Sequence, residues 1–259
     1  GSFHFTSLDG VEIDQTEWAR LKKISPADWF QQNYEATFLE KASAVFRNIQ
    51  EATFPFDIGL EPPYTLAEPR SGGRYVGGLD LAQIKDFTVF RIFDYFTHKE
   101  VYFDRFNKIS YPLQISRIEA SARKYGAKVT VEINNIGLAV ADELRARGIN
   151  VEDFKTTGTI SKDLEKMGTK ERLINKLAVD IENLNIHLAP IEVSNDELEA
   201  YTHILSPSGN ISYGAPEGQH DDCVMALALA NWGLQGKQRQ INAEIAMSMP
   251  SHKKRFQYS

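Results

Sequence analysis

Apolar residues follow two regimes along this chain. Over residues 14 to 50 they recur at helical spacing: Trp29, Phe30, Tyr34 and Phe38 share a period, and Ser25-Pro26 is a good helix start. Pro55, Pro62, Pro63 and Pro69, followed by Ser71-Gly72-Gly73, then interrupt any period and read as an irregular linker. From residue 74 the pattern changes to strands. "RYVGGLDLA" (74–82), "FTVFRIFDYF" (87–96) and "EVYFDRFNKI" (100–109) are three in succession, the last two joined only by Thr97-His98-Lys99. Such short joints predict an antiparallel meander.

"YPLQISRIEASARKYG" (111–126) predicts a helix, with Pro112 in its first turn and Gly126 at its end. "AKVTVEINNIG" (127–137) is a strand apolar enough to be central. Helix 138–147, strand 151–156 and helix 169–183 continue as βα units. "YTHILSPSGNISYGAP" (201–216) reads as a hairpin turning at Ser208-Gly209-Asn210. An apolar helix, 221–234, closes the pattern, and a loose polar tail ends in His252-Lys253-Lys254-Arg255. The predicted class is α/β: a central mixed sheet, with a three-stranded antiparallel meander followed by βα units and helices on both faces. Three parts are expected: a helical segment and linker over 1–71, a domain over 72–235, and a tail over 236–259.

At 259 residues the chain suits one large domain plus attachments. The opening Gly-Ser reads as an expression scar, which makes the chain a fragment of something longer. No apolar run approaches the roughly 18 residues of a membrane span, and no signal peptide is visible. Cys223 is the single cysteine, so no intramolecular disulfide can form and a reducing compartment fits. The net charge of −6 argues mildly against non-specific nucleic-acid binding. A nuclease that gathers acids around a metal would nevertheless be locally acidic.

Acids stand where apolar elements meet solvent. Asp80 lies near the end of the first strand, and Asp86 follows six residues later, at the turn into the second. Glu132 interrupts the central strand, and Asp221-Asp222 open the last helix in "GQHDDCVMALALAN". Each alone has a plain structural reading. Asp80 and Asp86 suit turns, Glu132 suits the outward side of an alternating strand, and Asp221 or Asp222 suits a helix cap. Together they also match a chemical need. In-line phosphodiester hydrolysis must stabilise both the attacking and the leaving oxygen, which many nucleases do with two divalent ions about 3.5–4 Å apart. Mg2+ and Mn2+ favour oxygen ligands, so carboxylates are the expected donors. Crowded carboxylates repel one another without metal, which predicts raised pKa values and a loose metal-free site.

At these residues the sequence resembles the nuclease domain of the large terminase subunit of tailed bacteriophages, the DNA-packaging motor. "GGLDLAQIKDFTVFRIFD" is similar to that family's first strand, with its acid and a second acid shortly after. "VTVEINNIG" is similar to its central strand, "KERLINKLAVDIEN" to its penultimate helix, and "GQHDDCVMALALA" to its closing acid pair and small-residue helix. The likeness runs from about residue 74 to 235. It implies an RNase H-like fold, two Mg2+ or Mn2+ ions, and endonuclease action on concatemeric double-stranded viral DNA in the cytoplasm of the infected bacterial host. Carried over by position, Asp80, Glu132 and Asp221 would be the catalytic metal ligands, with Asp86 and Asp222 supporting. It also implies an N-terminal ATPase in the full-length protein, with portal and small terminase subunit as partners. This chain has no GxxxxGK[ST] phosphate loop, so residues 3 to about 50 are expected to be the segment that joins the two halves.

Lys162, Lys166, Lys170, Arg172 and Lys176 gather before and along one predicted helix, either as a solvated face or as DNA-phosphate contacts. The 201–214 hairpin reads as a flap over the site or as a surface connection. His220 could orient water or phosphate, or pack at the helix entry. Another RNase H-like nuclease (a resolvase or an RNA–DNA hybrid ribonuclease) and a non-catalytic docking module are the competing expectations.

Overall fold

A computed structural model describes residues 14–24, 30–31, 34–35, 44–59, 61–81, 86–133, 135–156, 169–205, 211–216 and 218–234. In chain order the elements are α1 (Gln15–Ile24), α2 (Ile49–Ala52), β1 (Tyr64–Thr65), β2 (Tyr75–Asp80), β3 (Thr88–Asp94) and β4 (Glu100–Phe106). There follow α3 (Tyr111–Tyr125), β5 (Lys128–Glu132), α4 (Asn135–Ala146), β6 (Val151–Phe154) and α5 (Thr169–Glu182). The last are α6 (Glu192–Ala200), β7 (Thr202–Leu205), β8 (Ile211–Gly214) and α7 (Asp222–Gly233).

Six strands form one sheet in the order β1-β4-β3-β2-β5-β6, and β7-β8 form a separate hairpin. The meander β2-β3-β4 is antiparallel, whereas β2, β5 and β6 run parallel. Period-two alternation sorts the side chains onto two faces. Tyr75, Leu79, Val129 and Val131 pack with Ile115, Ile118 and Ala122 of α3 and with Val140 and Leu144 of α4. Val76 and Phe93 face the other way, against Leu173, Ile174 and Leu177 of α5 and Val224, Leu227 and Ala228 of α7. Helices therefore cover both faces, as the sequence predicts.

Local signals explain the well-formed elements. Pro112 stands in the first turn of α3, and Gly126 ends it at φ 61, with its N–H on the carbonyls of Ala122 and Arg123. α7 is buried from Asp222 through Trp232, so its uniform apolarity is that of a core helix. It lies directly on β2: a Cβ on Gly78 would fall 2.1 Å from the Ala226 carbonyl oxygen and 2.3 Å from the Ala230 nitrogen. Only glycine fits there.

Other segments differ from the pattern. The helical period read to residue 50 ends early: Ala44 bridges to Thr202, and Asn48 at φ 58 precedes the short α2. Val45, Phe46, Ile49 and Ala52 are buried in the α5–α7 core, and that packing sets their conformation. The expected linker contains β1, which pairs Tyr64 with Phe103 and Thr65 with Tyr102. β5 stops at Glu132 and α4 starts at Asn135, where the pattern carried the strand to 137 and began the helix at 138. α6 had no expected counterpart. The Ser25-Pro26 helix start, Trp29, Phe38, the hairpin tip at 208–210 and the tail from 235 lie outside the described residues. Among the described residues no helix is long and apolar enough to cross a membrane.

Candidate metal centre

The register of the parallel strands brings the first two acids together. Val76 stands opposite Lys128 and Leu79 opposite Val131, so the next positions are Asp80 and Glu132, side by side. Both share the parity of Val76 and Gly78 and therefore face α7. α7 runs antiparallel to β2, with Gly233 over Val76 and Ala226–Ala230 over Gly78. Its N-terminus consequently reaches the level of Asp80, carrying Asp221 as N-cap and Asp222 as the first helical residue.

The electrostatics record this convergence. The Asp80 carboxyl is pushed well above its usual range, first by burial, then by Glu132, Asp222 and Asp221, with Lys170 pulling the other way. Burial also raises Asp222, from the usual 3.8 to about 6. The Phe87 N–H opposes that shift, Glu197 and Asp86 add to it, and His220 opposes it.

The acids other than Asp80 have polar neighbours. The Thr156 hydroxyl donates to Glu132 Oε1. Lys170 Nζ lies 3.5 Å from Asp221 Oδ2. The backbone N–H of Phe87 donates to Asp222 Oδ2 at 3.1 Å. His220 Nδ1 stands 3.5 Å from Asp86 Oδ1 and 3.7 Å from Asp222 Oδ2, its ring edge-on to Phe87. Among the described residues no three His, Cys, Asp or Glu side chains already close on one point as a metal cage. The donor set fits a hard divalent cation: carboxylate oxygens predominate, and Asp80 sits where its negative charge is costly.

Of the five basic residues, Lys170, Arg172 and Lys176 are described. Lys170 turns toward Asp221. Lys176 pairs with Asp180, which also accepts from Asn231 Nδ2 at 2.8 Å and so ties α5 to α7. Arg172 is exposed, and Lys162 and Lys166 lie outside the described residues. Thr156 and Phe87 bond to the site's acids, and Glu197 stands behind them, without having been singled out from the sequence. Phe87 directly follows the candidate Asp86, which was the available signal, whereas Thr156 follows β6, whose ends carried none.

No family model matches the sequence. The chain is 29% identical over 259 residues to the large terminase subunit of Thermus virus P23-45, covering 96% of this chain and 50% of that one. The large terminase subunit of Thermus phage G20c matches to the same extent. The chain thus spans about half the length of the curated relatives it matches. Among solved structures, the large terminase nuclease of phage G20c with bound magnesium superposes with a TM-score of 0.64 at 27% identity, over 74% of this chain and 98% of that one. The same nuclease is also known with cobalt and with zinc. The large terminase nuclease domain of Thermus phage P74-26 gives 0.63 at 26% identity, over 75% and 97%. The fold shared with these domains is RNase H-like.

Proposed function

Because the chain is homologous to phage large terminase subunits and folds as their nuclease domains do, we propose that it is the metal-dependent endonuclease domain of such a subunit. Its substrate in this reading is concatemeric double-stranded viral DNA, cut during genome packaging in the cytoplasm of the infected host. The full-length protein would add an N-terminal ATPase and meet the portal and the small terminase subunit.

The observation that carries the reading is Asp80. It is an acid whose described electrostatic neighbours include three further carboxylates, supplied by β5 and the start of α7. Structural acids are normally paired, because an isolated buried charge is expensive. A cluster of like charges at strand and helix ends is reasonable only if a cation completes it. Asp80, Glu132 and Asp221 would hold two Mg2+ or Mn2+ ions, with Asp86 and Asp222 in support. The bound ions would stabilise the attacking water oxygen and the leaving 3′ oxygen of the phosphodiester.

The chain's own groups have separable tasks. Phe87 fixes one oxygen of Asp222 through its N–H. His220 Nδ1 lies between the two supporting acids and holds them near one another. Lys170 offsets the charge of Asp221. Incubating supercoiled plasmid with the protein and Mn2+ or Mg2+, against an EDTA control, tests the reading. Cleavage by the wild type that is lost in Asp80→Ala and in EDTA is expected; identical behaviour of the two proteins would overturn it.

A further inference from the structure

An α-helix begins with four N–H groups that have no partner inside it, and the N-cap side chain usually accepts one of them. Asp221 occupies the N-cap of α7, yet its side chain makes no cap hydrogen bond. The N–H of Cys223 donates instead to Glu197 Oε2, at 2.7 Å, from α6. Glu197 is an acid only 7% exposed, placed behind the site rather than in it. The carbonyl of the same Cys223 accepts from Arg91 Nη1 at 3.3 Å, and that nitrogen also donates to Ser194 Oγ at 2.8 Å. Cys223 is therefore held on both its N–H and its C=O by groups from α6 and β3. Arg105 extends the support: its Nη2 lies 3.6 Å from Glu197 Oε1, and its guanidinium covers the Phe87 ring. Phe87 in turn holds Asp222.

Capping and metal binding compete for the same carboxylate. An Asp that turns inward to accept its own helix's N–H withdraws an oxygen from the site. We propose that Glu197 is a positioning residue that caps α7 from a neighbouring helix and so leaves the Asp221 carboxylate free to face the metal. The proposal rests on the metal-nuclease reading above and adds to it a residue that does not touch the metal. Without the Glu197 acceptor, the N-cap side chain of Asp221 is the local replacement for the Cys223 N–H, reached by turning its backbone from φ −127, ψ 16 to the extended N-cap conformation.

Two replacements separate the acceptor from the charge. Glu197→Gln keeps a carbonyl oxygen in reach of Cys223 and loses the charge. Glu197→Asp keeps the charge and draws the acceptor back by one methylene. Amide hydrogen exchange in metal-free protein reads the cap, electron paramagnetic resonance titration with Mn2+ reads the site, and thermal melting confirms that each variant folds. In Glu197→Gln the Cys223 amide should stay protected, with half-saturation by Mn2+ near the wild-type value. In Glu197→Asp that amide should exchange faster and half-saturation should need roughly fivefold more Mn2+, the usual worth of a helix cap. Wild-type behaviour in Glu197→Asp, or equal weakening in both variants, would overturn the role of Glu197 alone. A wild type that binds no Mn2+ would overturn the nuclease reading itself.

Discussion

Glu100 on β4 and Asp80 on β2 are both acids of the central sheet, and their surroundings are opposite. Glu100 is fully enclosed, held by Arg91 Nε at 2.7 Å, by Arg91 Nη2 at 2.8 Å and by the Ala189 N–H at 3.0 Å. Asp104, further along β4, takes a two-pronged bond from Arg117 at 2.6 and 2.8 Å. Asp80 has no such partner among the described residues, and the charges that act on it are Glu132, Asp222 and Asp221, against Lys170 alone. Glu100 is wholly enclosed and Asp80 half-buried, so both lose solvation, and loss of solvation does not by itself mark function. What separates them is compensation: the β4 acids have their counter-charges built into the chain, whereas in the proposed reading the β2–β5–α7 acids take theirs from solution.

The contrast can be broken by removing one charge from each side. Glu100→Gln strands the Arg91 guanidinium in the core, and loss of one partner of a buried pair typically costs about 3–5 kcal/mol. Urea unfolding should show a loss of that size; a change under about 1 kcal/mol would place Glu100 outside the structural class. Asp80→Asn should do the reverse. Cleavage of plasmid should fall at least about a hundredfold, more than outer-shell losses usually cause, while metal-free stability stays level or rises. A destabilised Asp80→Asn with intact cleavage would invert the comparison.

Within the site, Asp221→Asn should abolish cleavage and Asp222→Asn should weaken it less. The reverse ranking would exchange their roles. Acidity sharpens the same point. The folded state holds a proton on Asp222 up to about 6, against 3.8 ordinarily, so the group destabilises the metal-free fold increasingly as pH rises through that window. Acids paired in the native state give the opposite slope, so the informative quantity is a difference. Thermal melting of wild type relative to Asp222→Asn should decline between those values, and added Mn2+ should reverse the decline at the upper end. The smallest effect belongs to Lys170→Ala. Its partly exposed pairing with Asp221 at 3.5 Å should contribute under about 1 kcal/mol, visible only at low salt in metal-free melting.

The acids of the candidate site were more legible in the sequence than parts of the fold that surrounds them. Asp80, Glu132 and Asp221-Asp222 interrupt or open apolar runs, and such interruptions are visible without coordinates. The meander and the all-apolar closing helix were legible for the same reason. β1 was not, because two residues among prolines carry no period and acquire strand character only by pairing with Phe103 and Tyr102. α6 was missed because "EVSNDELEA" is polar on its surface-facing positions and buries only Ser194, Glu197 and Leu198. Glu197 could not be found by pattern at all, since its partner Cys223 lies 26 residues away and the bond depends on how two helices meet. The partners of the basic residues could not be read from charge alone. Lys176 serves Asp180 inside the fold, and Lys170 turns toward the acids.

The central claim is that the acids of β2, β5 and α7 form one cation-binding site. A crystal soaked in Mn2+ and measured at the manganese absorption edge tests it most directly. Anomalous density is expected between Asp80, Glu132 and Asp221, with the Glu132 and Asp221 carboxylate oxygens drawn inward from Thr156 and Lys170. Density confined to the protein surface, with Glu132 and Asp221 left on Thr156 and Lys170, would contradict it.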